Sequence, residues 1–160
     1  MRAGHAAPVL AFELENRAYF TRFISDRGDA FFENFAEGFA EVLAEQQAGE
    51  GSFYVLVDED GSVIGRFNVF DLRGHAPHLG YRVAERVAGR GVATAAVEEI
   101  CGIAKRGFEV RTLRAAVAYS NAASQRVLTK AGFVAIGEAD PSEIGGKPGA
   151  WYGRDLESYA

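Results

Sequence analysis

Apolar residues recur at helical spacing near the N-terminus. Leu10, Leu14 and Ala18 predict a short first helix within Pro8–Tyr19. The polar segment 24–29 interrupts this pattern and is typical of a loop.

A second helix is predicted from about Ala30 to Gln47. Its apolar positions at core spacing are Phe31, Phe35, Phe39, Val42 and Leu43. Acidic residues recur every four positions on another face, at Glu33, Glu37, Glu41 and Glu45. Such a stripe is typical of a solvated helix face, and a wall that attracts a cationic substrate is the second interpretation.

The middle of the chain has the composition of β-strands. Phe53–Val57 and Val63–Phe70 are β-prone runs separated by the turn-forming segment 58–62, so they predict an antiparallel hairpin. Leu79–Val83 predicts a third strand.

Helices and strands alternate in the C-terminal half. Spacing of apolar residues predicts a helix at about Val92–Arg106, and alternation predicts a strand at about Thr112–Ala118. Asn121 is a suitable N-cap for a short helix that Gly132 ends. The last two predicted strands are Phe133–Gly137 and Ala150–Asp155. This order of elements predicts a mixed α/β sheet in one domain over residues 1–160.

Composition excludes several classes of function. The net charge of −5 and the absence of a long basic run argue against nucleic-acid binding and are compatible with a basic partner. No apolar stretch is long enough to span a membrane, so a cytoplasmic protein is expected. The single cysteine, Cys101, lies on the apolar side of a predicted helix and is expected in the core, without a disulfide or a metal.

A glycine-bearing turn connects the third strand to the following helix, an arrangement that leaves backbone N–H groups free to hold phosphate. In one register Arg86, Gly89 and Gly91 form an RxxGxG pattern, and in the other the loop is Ala88–Ala93. The second register is favoured because helical periodicity begins at Val92. Neither a Walker A motif nor a GxGxxG fingerprint is present, which disfavours ATP and NAD.

Together with the segment 121–133, this loop resembles the GNAT acetyltransferases, and most of all the ribosomal-protein alanine N-acetyltransferase subfamily. The segment has Asn, then Ser three residues later, then Lys-x-Gly-Phe closing the helix. The resemblance covers about Phe53–Tyr152. It implies an α/β fold with a mixed, mostly antiparallel central sheet, one splayed pair of strands and about four flanking helices.

The resemblance implies acetyl-CoA as cosubstrate and no metal. Val83, Ala84 and Glu85 would then bind the pantetheine arm. Asn121 would contact the pantetheine or cap its helix, and the two roles are compatible. The residues expected around the phosphates are Ala88, Gly89, Arg90, Gly91, Val92, Ala93 and Thr94.

The chain departs from the family pattern in three places. Ala88 stands where the family usually has Arg or Gln, and Arg86 or Arg90 are candidates to compensate. Leu128 stands at the position of the tyrosine acid used by many members, whereas Ser124 matches the serine of the subfamily. The family also opens with a strand before its first helix, for which this chain has only about seven residues.

The resemblance also supplies candidates for the chemistry. Ser124 is the candidate acid and would also lie at the cofactor, while Glu143 is the candidate base, with Glu138 as the second choice. The expected reaction is direct transfer of acetyl to a primary amine, which could be a protein N-terminus. The alternatives left open are a small amine, such as a polyamine or an antibiotic, and a CoA-binding module without turnover. A homodimer is also left open.

Overall fold

The computed structural model describes residues 1–157, and helices dominate its first third. The helices are α1 Ala6–Glu15, α2 Arg17–Phe20, α3 Asp29–Glu33, α4 Phe35–Gln47, α5 Val92–Phe108 and α6 Ala122–Lys130. The strands are β1 Ser52–Val57, β2 Val63–Phe70, β3 His78–Val83, β4 Thr112–Ala118, β5 Val134–Ala139 and β6 Gly149–Asp155. Short 3-10 turns lie at Ala3–His5, Glu85–Val87 and Pro141–Ile144.

The strands form one six-stranded sheet in the order β1-β2-β3-β4-β6-β5. Four of the five neighbouring pairs are antiparallel, and β3–β4 is parallel. The β3–β4 pair is registered at one position, His78 opposite Arg114, and the two strands separate beyond it. The predicted mixed, mostly antiparallel sheet with a splayed pair of strands is therefore confirmed.

Both faces of the sheet are covered by apolar packing. On one face α5 and α6 pack through Val97, Ile100, Cys101 and Leu128 against residues of β2, β3 and β4. On the other face α1 and α4 contribute Val9, Phe12, Phe35 and Phe39 to a second cluster. Cys101 is buried in the first core, as predicted.

The two predicted N-terminal helices are each broken by an asparagine. Asn16 separates α1 from α2 and is buried, with its Nδ2 donating to the Phe12 carbonyl and its Oδ1 accepting from the Glu85 N–H. Asn34 separates α3 from α4, and its Nδ2 donates to the Ala30 carbonyl. The prediction of two continuous helices was wrong because asparagine side chains compete with the backbone for its hydrogen bonds.

The predicted starts of α5 and α6 and the predicted end of α6 are confirmed, while α5 ends at Phe108, two residues after the predicted Arg106. Helix α5 begins at Val92. The Asn121 side chain accepts from the Ser124 N–H, 3.1 Å away, and caps α6. Gly132 follows the end of α6 with a φ of 87°, a conformation that favours glycine.

Residues 1–157 contain no strand before β1, so the opening strand that the resemblance implies is not seen in the described part of the chain. The Met1 nitrogen instead donates to the Phe53 carbonyl at the outer edge of β1, over 2.7 Å. Within the same residues, no helix is both long enough and apolar enough to cross a bilayer.

A buried carboxylate joins α1 to the sheet. Glu13 is 1 % exposed and contacts three guanidinium groups: Arg66 of β2 at 2.9 Å, Arg82 of β3 at 3.1 Å and Arg27 at 3.3 Å. Burial alone would raise the pKa of Glu13, but attraction by Arg82 and Arg27 and the hydrogen bond from Arg66 outweigh it, so the pKa is lowered. Glu13 therefore stays ionised inside the protein.

We expect Glu13→Gln to lower the free energy of unfolding by about 3–5 kcal/mol, because it leaves buried guanidinium charges without a counter-charge. Urea denaturation at neutral pH measures this loss. Glu15→Gln, at an exposed position on the same helix, is the matched control and should change stability by less than about 0.5 kcal/mol.

The pH dependence gives a second readout of the same prediction. Because folding lowers the pKa of Glu13, its contribution is present above the unfolded-state pKa and is lost as the pH falls through the folded-state pKa. Wild type and Glu13→Gln should therefore become more alike in stability at acid pH. Equal stability of Glu13→Gln and wild type at pH 7 would contradict this role.

Candidate active site

Two cavities open where β3 and β4 separate. The first, which we call the loop cavity, has a volume of about 240 Å³ and is bounded by Ala88–Thr94 and α6. The second, which we call the sheet cavity, has a volume of about 370 Å³ and is bounded by β2, β3, β4 and the segment Glu143–Gly145. The residues lining both are Phe23, Ile24, Tyr81, Arg82, Asn121 and Ser124. Ligands bound in the two cavities would therefore meet beside these side chains.

The loop cavity has unused backbone donors at one end. Gly89 and Gly91 have φ values of 74° and 77°, which turn the chain sharply into α5. The N–H groups of residues 89–94 donate to no acceptor among residues 1–157. They lie at the N-terminal end of a 17-residue helix, where the helix dipole favours negative charge. The loop is thus equipped to hold a phosphate.

The basic side chains at this cavity differ from those that sequence analysis named. Arg86 forms an ion pair with Asp58 at 2.9 Å, which engages it at the turn between β1 and β2, and Arg90 is exposed. Arg126 and Lys130 of α6 line the cavity instead. Neither has an ion-pair partner among residues 1–157. The sequence did contain a signal for this pair: Arg126 and Lys130 are four residues apart on the helix that Asn121 caps, so they lie on the same helix face.

Strand β3 presents an open backbone edge toward the space left by β4. Ala84 N–H donates to the Ile64 carbonyl, so in this antiparallel register the bonded positions alternate from Ala84. The N–H and C=O groups of Tyr81 and Val83 therefore point away from β2, toward the gap.

This pairing distinguishes the three positions expected to bind pantetheine. The N–H of Ala84 is used by Ile64, and that of Glu85 by the Asn16 side chain. Their carbonyls accept from Val87 and Ala88 in the 3-10 turn that follows β3. Because all these backbone groups are engaged, Val83 is the one of the three that is free to pair.

A hydroxyl pair lies where the cavities meet. Ser124 Oγ and Tyr81 Oη are 2.8 Å apart, and either can donate. Burial raises the pKa of Tyr81 to about 12, and the hydrogen bond from Ser124 offsets only part of this effect, so the phenol stays protonated at neutral pH. Its ring stacks on Phe67 at a centroid distance of 5.7 Å, which fixes the hydroxyl. Sequence analysis missed Tyr81, because only the folded chain brings it beside Ser124.

The two candidates for the base, Glu143 and Glu138, lie in different places relative to the cavities. Glu143 lies in the turn Pro141–Ile144 and lines the sheet cavity, while Glu138 is exposed on β5 outside the lining of both cavities. The turn is anchored next to it, because Ser25 Oγ donates to the Gly145 carbonyl at 2.9 Å and Lys147 Nζ to the Phe23 carbonyl at 2.8 Å. The acidic stripe on α3 and α4 is exposed and lines neither cavity, as the solvated-face interpretation predicts.

The sheet cavity also borders the Glu13 cluster. Arg27, Arg66 and Arg82, the three partners of Glu13, all line it. Among residues 1–157, no group of three or more His, Cys, Asp or Glu side chains is arranged to hold a metal ion.

Comparisons with known proteins agree with this geometry. A solved ribosomal-protein-S5-alanine acetyltransferase from Vibrio fischeri superposes with a TM-score of 0.89 at 21% identity, covering 100% of this chain and 92% of that one. A spermidine N-acetyltransferase from Vibrio cholerae, solved with CoA and spermine, gives a TM-score of 0.79 at 14% identity, covering 99% and 94%. At these identities the likeness shows the fold.

Sequence similarity goes further. A probable N-acetyltransferase, YjcK of Bacillus subtilis, is 30% identical over an alignment of 132 residues that covers 78% of this chain and 72% of the relative. The sequence model of the family described as Acetyltransferase (GNAT) domain matches residues 1–134. The chain therefore belongs to the GNAT acetyltransferase family.

Proposed function

We propose that this acetyltransferase binds acetyl-CoA in the loop cavity and transfers the acetyl group directly to a primary amine held in the sheet cavity. The observation that carries the proposal is the meeting of the two cavities at Tyr81 and Ser124. Direct transfer requires both reactants to be bound at once on either side of one point. A spermidine N-acetyltransferase of the same fold, from Vibrio cholerae, has been solved with both CoA and spermine.

The residues around the loop cavity fit the chemistry of CoA. The unused N–H groups of residues 89–94 would hold the pyrophosphate, and Arg126 and Lys130 would add charge-assisted contacts to the phosphates. The open edges of Tyr81 and Val83 would pair with the amides of pantetheine, as an added strand would. Arg126 and Lys130 would then supply the phosphate contact of the arginine or glutamine that the family usually has at the position of Ala88.

Acetyl-CoA supplies a thioester whose carbonyl carbon accepts the amine. The Val83 N–H, on the open edge of β3, would polarise that carbonyl. Ser124 would give its hydroxyl proton to the departing sulfur, and Tyr81 would orient the Ser124 hydroxyl and return a proton to it. Both hydroxyls are neutral at physiological pH, so each can donate.

The acceptor must lose a proton to become a nucleophile. Glu143 lines the sheet cavity and would take the proton from the ammonium group, directly or through water. Glu138 lies outside the cavity lining and is the weaker candidate. When the carbon–sulfur bond breaks, the nitrogen loses its second proton, which would replace the one that Tyr81 and Ser124 gave to the sulfur. The remaining proton is the one that Glu143 took, which it would release to water.

Release of free thiol from acetyl-CoA, followed across a panel of amines, tests this function. We expect Ser124→Ala to lower kcat by about 100-fold while the Kd for CoA stays within about twofold, because the hydroxyl acts on the leaving group. Tyr81→Phe should lower kcat about tenfold, since Ser124 remains. Glu143→Gln should also lower kcat, and Glu138→Gln is the matched control without effect.

Three outcomes would contradict the proposal or one of its assigned roles. Tight CoA binding without thiol release for any amine would indicate the binding module instead. Unchanged turnover of Ser124→Ala would rule out the role assigned to Ser124. A loss of kcat with Glu138→Gln and none with Glu143→Gln would assign the role of base to Glu138.

The phosphate contacts give a separate prediction. We expect Arg126→Gln and Lys130→Gln each to weaken CoA binding about 5- to 10-fold, with a larger effect at low salt, because both charges are exposed. Calorimetric titration with CoA measures this. Arg106→Gln, on the exposed end of α5, is the control. Loss of affinity with Arg86→Gln, and none with the α6 variants, would favour the RxxGxG register.

A further inference from the structure

Within residues 1–157, the wall of the sheet cavity has more positively charged side chains than carboxylates paired with them. Three guanidinium groups line the cavity, those of Arg27, Arg66 and Arg82. All three converge on the single carboxylate of Glu13. Glu143, the acidic residue of the lining, forms no ion pair with them. The cluster therefore keeps an excess of two positive charges beside an open cavity.

Polar atoms in the same wall are without partners. Arg66 is 6% exposed, and its Nη1 donates to Glu13 Oε1. Its Nε is buried and has no acceptor among residues 1–157. Asn68, two residues along β2, has a buried Oδ1 without a donor, and both residues line the cavity. Unpaired buried groups are costly. The Nε of Arg66 is a donor that an anionic oxygen would satisfy, whereas the Oδ1 of Asn68 is an acceptor that a donor such as an ammonium group would satisfy.

Burial and, to a lesser extent, repulsion between the arginines lower the pKa values of Arg82 and Arg66. Burial and repulsion by Arg27 lower the pKa of Arg82 to about 10, despite the attraction of Glu13. Burial also lowers the pKa of Arg66, with repulsion by Arg27 acting in the same direction. Both groups stay charged at neutral pH, and a bound anion would relieve their repulsion.

We propose that the amine acceptor also carries a carboxylate, which binds the guanidinium wall of Arg66 and Arg82 while the amine lies toward Glu143. This inference rests on the proposed function and names its substrate class: a small amino carboxylate. The cavity of about 370 Å³ suits a small molecule. A polyamine would bring a further positive charge against the arginines, so the same wall disfavours it.

Matched acceptors test the proposal. Thiol release from acetyl-CoA is measured with glycine, β-alanine, leucine and phenylalanine, with the primary amide of each, and with spermidine. We expect the best amino acid to exceed its amide at least tenfold in kcat/KM, and spermidine to be the poorest acceptor. Amides equal to or better than the acids, or spermidine as the best acceptor, would overturn the inference while leaving the acetyltransferase proposal intact.

Variants of the wall locate the effect. Asn68→Asp preserves the shape of the side chain but adds a negative charge to the wall, so the acid-to-amide ratio should fall at least tenfold. Arg27→Gln, at a partly exposed position that tolerates change more readily than Arg66, should lower the ratio less. Asn34→Asp, on the surface between α3 and α4, is the matched control. A ratio unchanged in Asn68→Asp would contradict the assignment.

Binding of product analogues tests the inference independently of turnover. The CoA-loaded protein is titrated by calorimetry with N-acetylleucine and with N-acetylleucinamide, which differ only in the carboxylate. We expect the acid to bind at least tenfold more tightly, and Asn68→Asp to abolish the difference. Equal binding, or binding of neither, would overturn the inference. Absence of thiol release with every amine would instead count against the acetyltransferase proposal.

Discussion

The separation of β3 from β4 is the constraint on which the rest of the site depends. The two strands, the parallel pair of a mostly antiparallel sheet, are registered only at His78 and Arg114 and then diverge, so the sheet opens in its middle. The divergence leaves the backbone of β3 unpaired on one side, and two cavities form there. Helix α6, capped by Asn121, brings Ser124 to the place where the cavities join.

A buried ionic cluster around Glu13 holds β3 in place from the side of α1 and β2. Glu13 ties α1 to β2 and β3, and so holds the strand that forms one edge of the opening. Its partners are also the charged wall of the sheet cavity. One carboxylate cannot neutralise three guanidinium groups, and the same contacts that stabilise the fold therefore give the acceptor cavity its charge.

Patterns that reflect local structure were predictable from the sequence. Alternation and turn residues located the strands, helical spacing placed the start of α5 at Val92, and the cap at Asn121 followed from its position before an apolar helix. The breaks at Asn16 and Asn34 were missed because they depend on side-chain hydrogen bonds to the backbone. The contacts of Tyr81, Arg66 and Arg126 join segments distant in sequence, and spacing alone does not reveal them.

The proposed reaction requires that CoA enter the opening between β3 and β4 with its sulfur at Ser124. A crystal structure of the CoA complex tests this most directly. We expect the pyrophosphate on the N–H groups of residues 89–94, the pantetheine beside Tyr81 and Val83, and the sulfur within about 4 Å of Ser124 Oγ. A CoA molecule bound outside the opening, or one whose sulfur lies away from Ser124 and Tyr81, would contradict it.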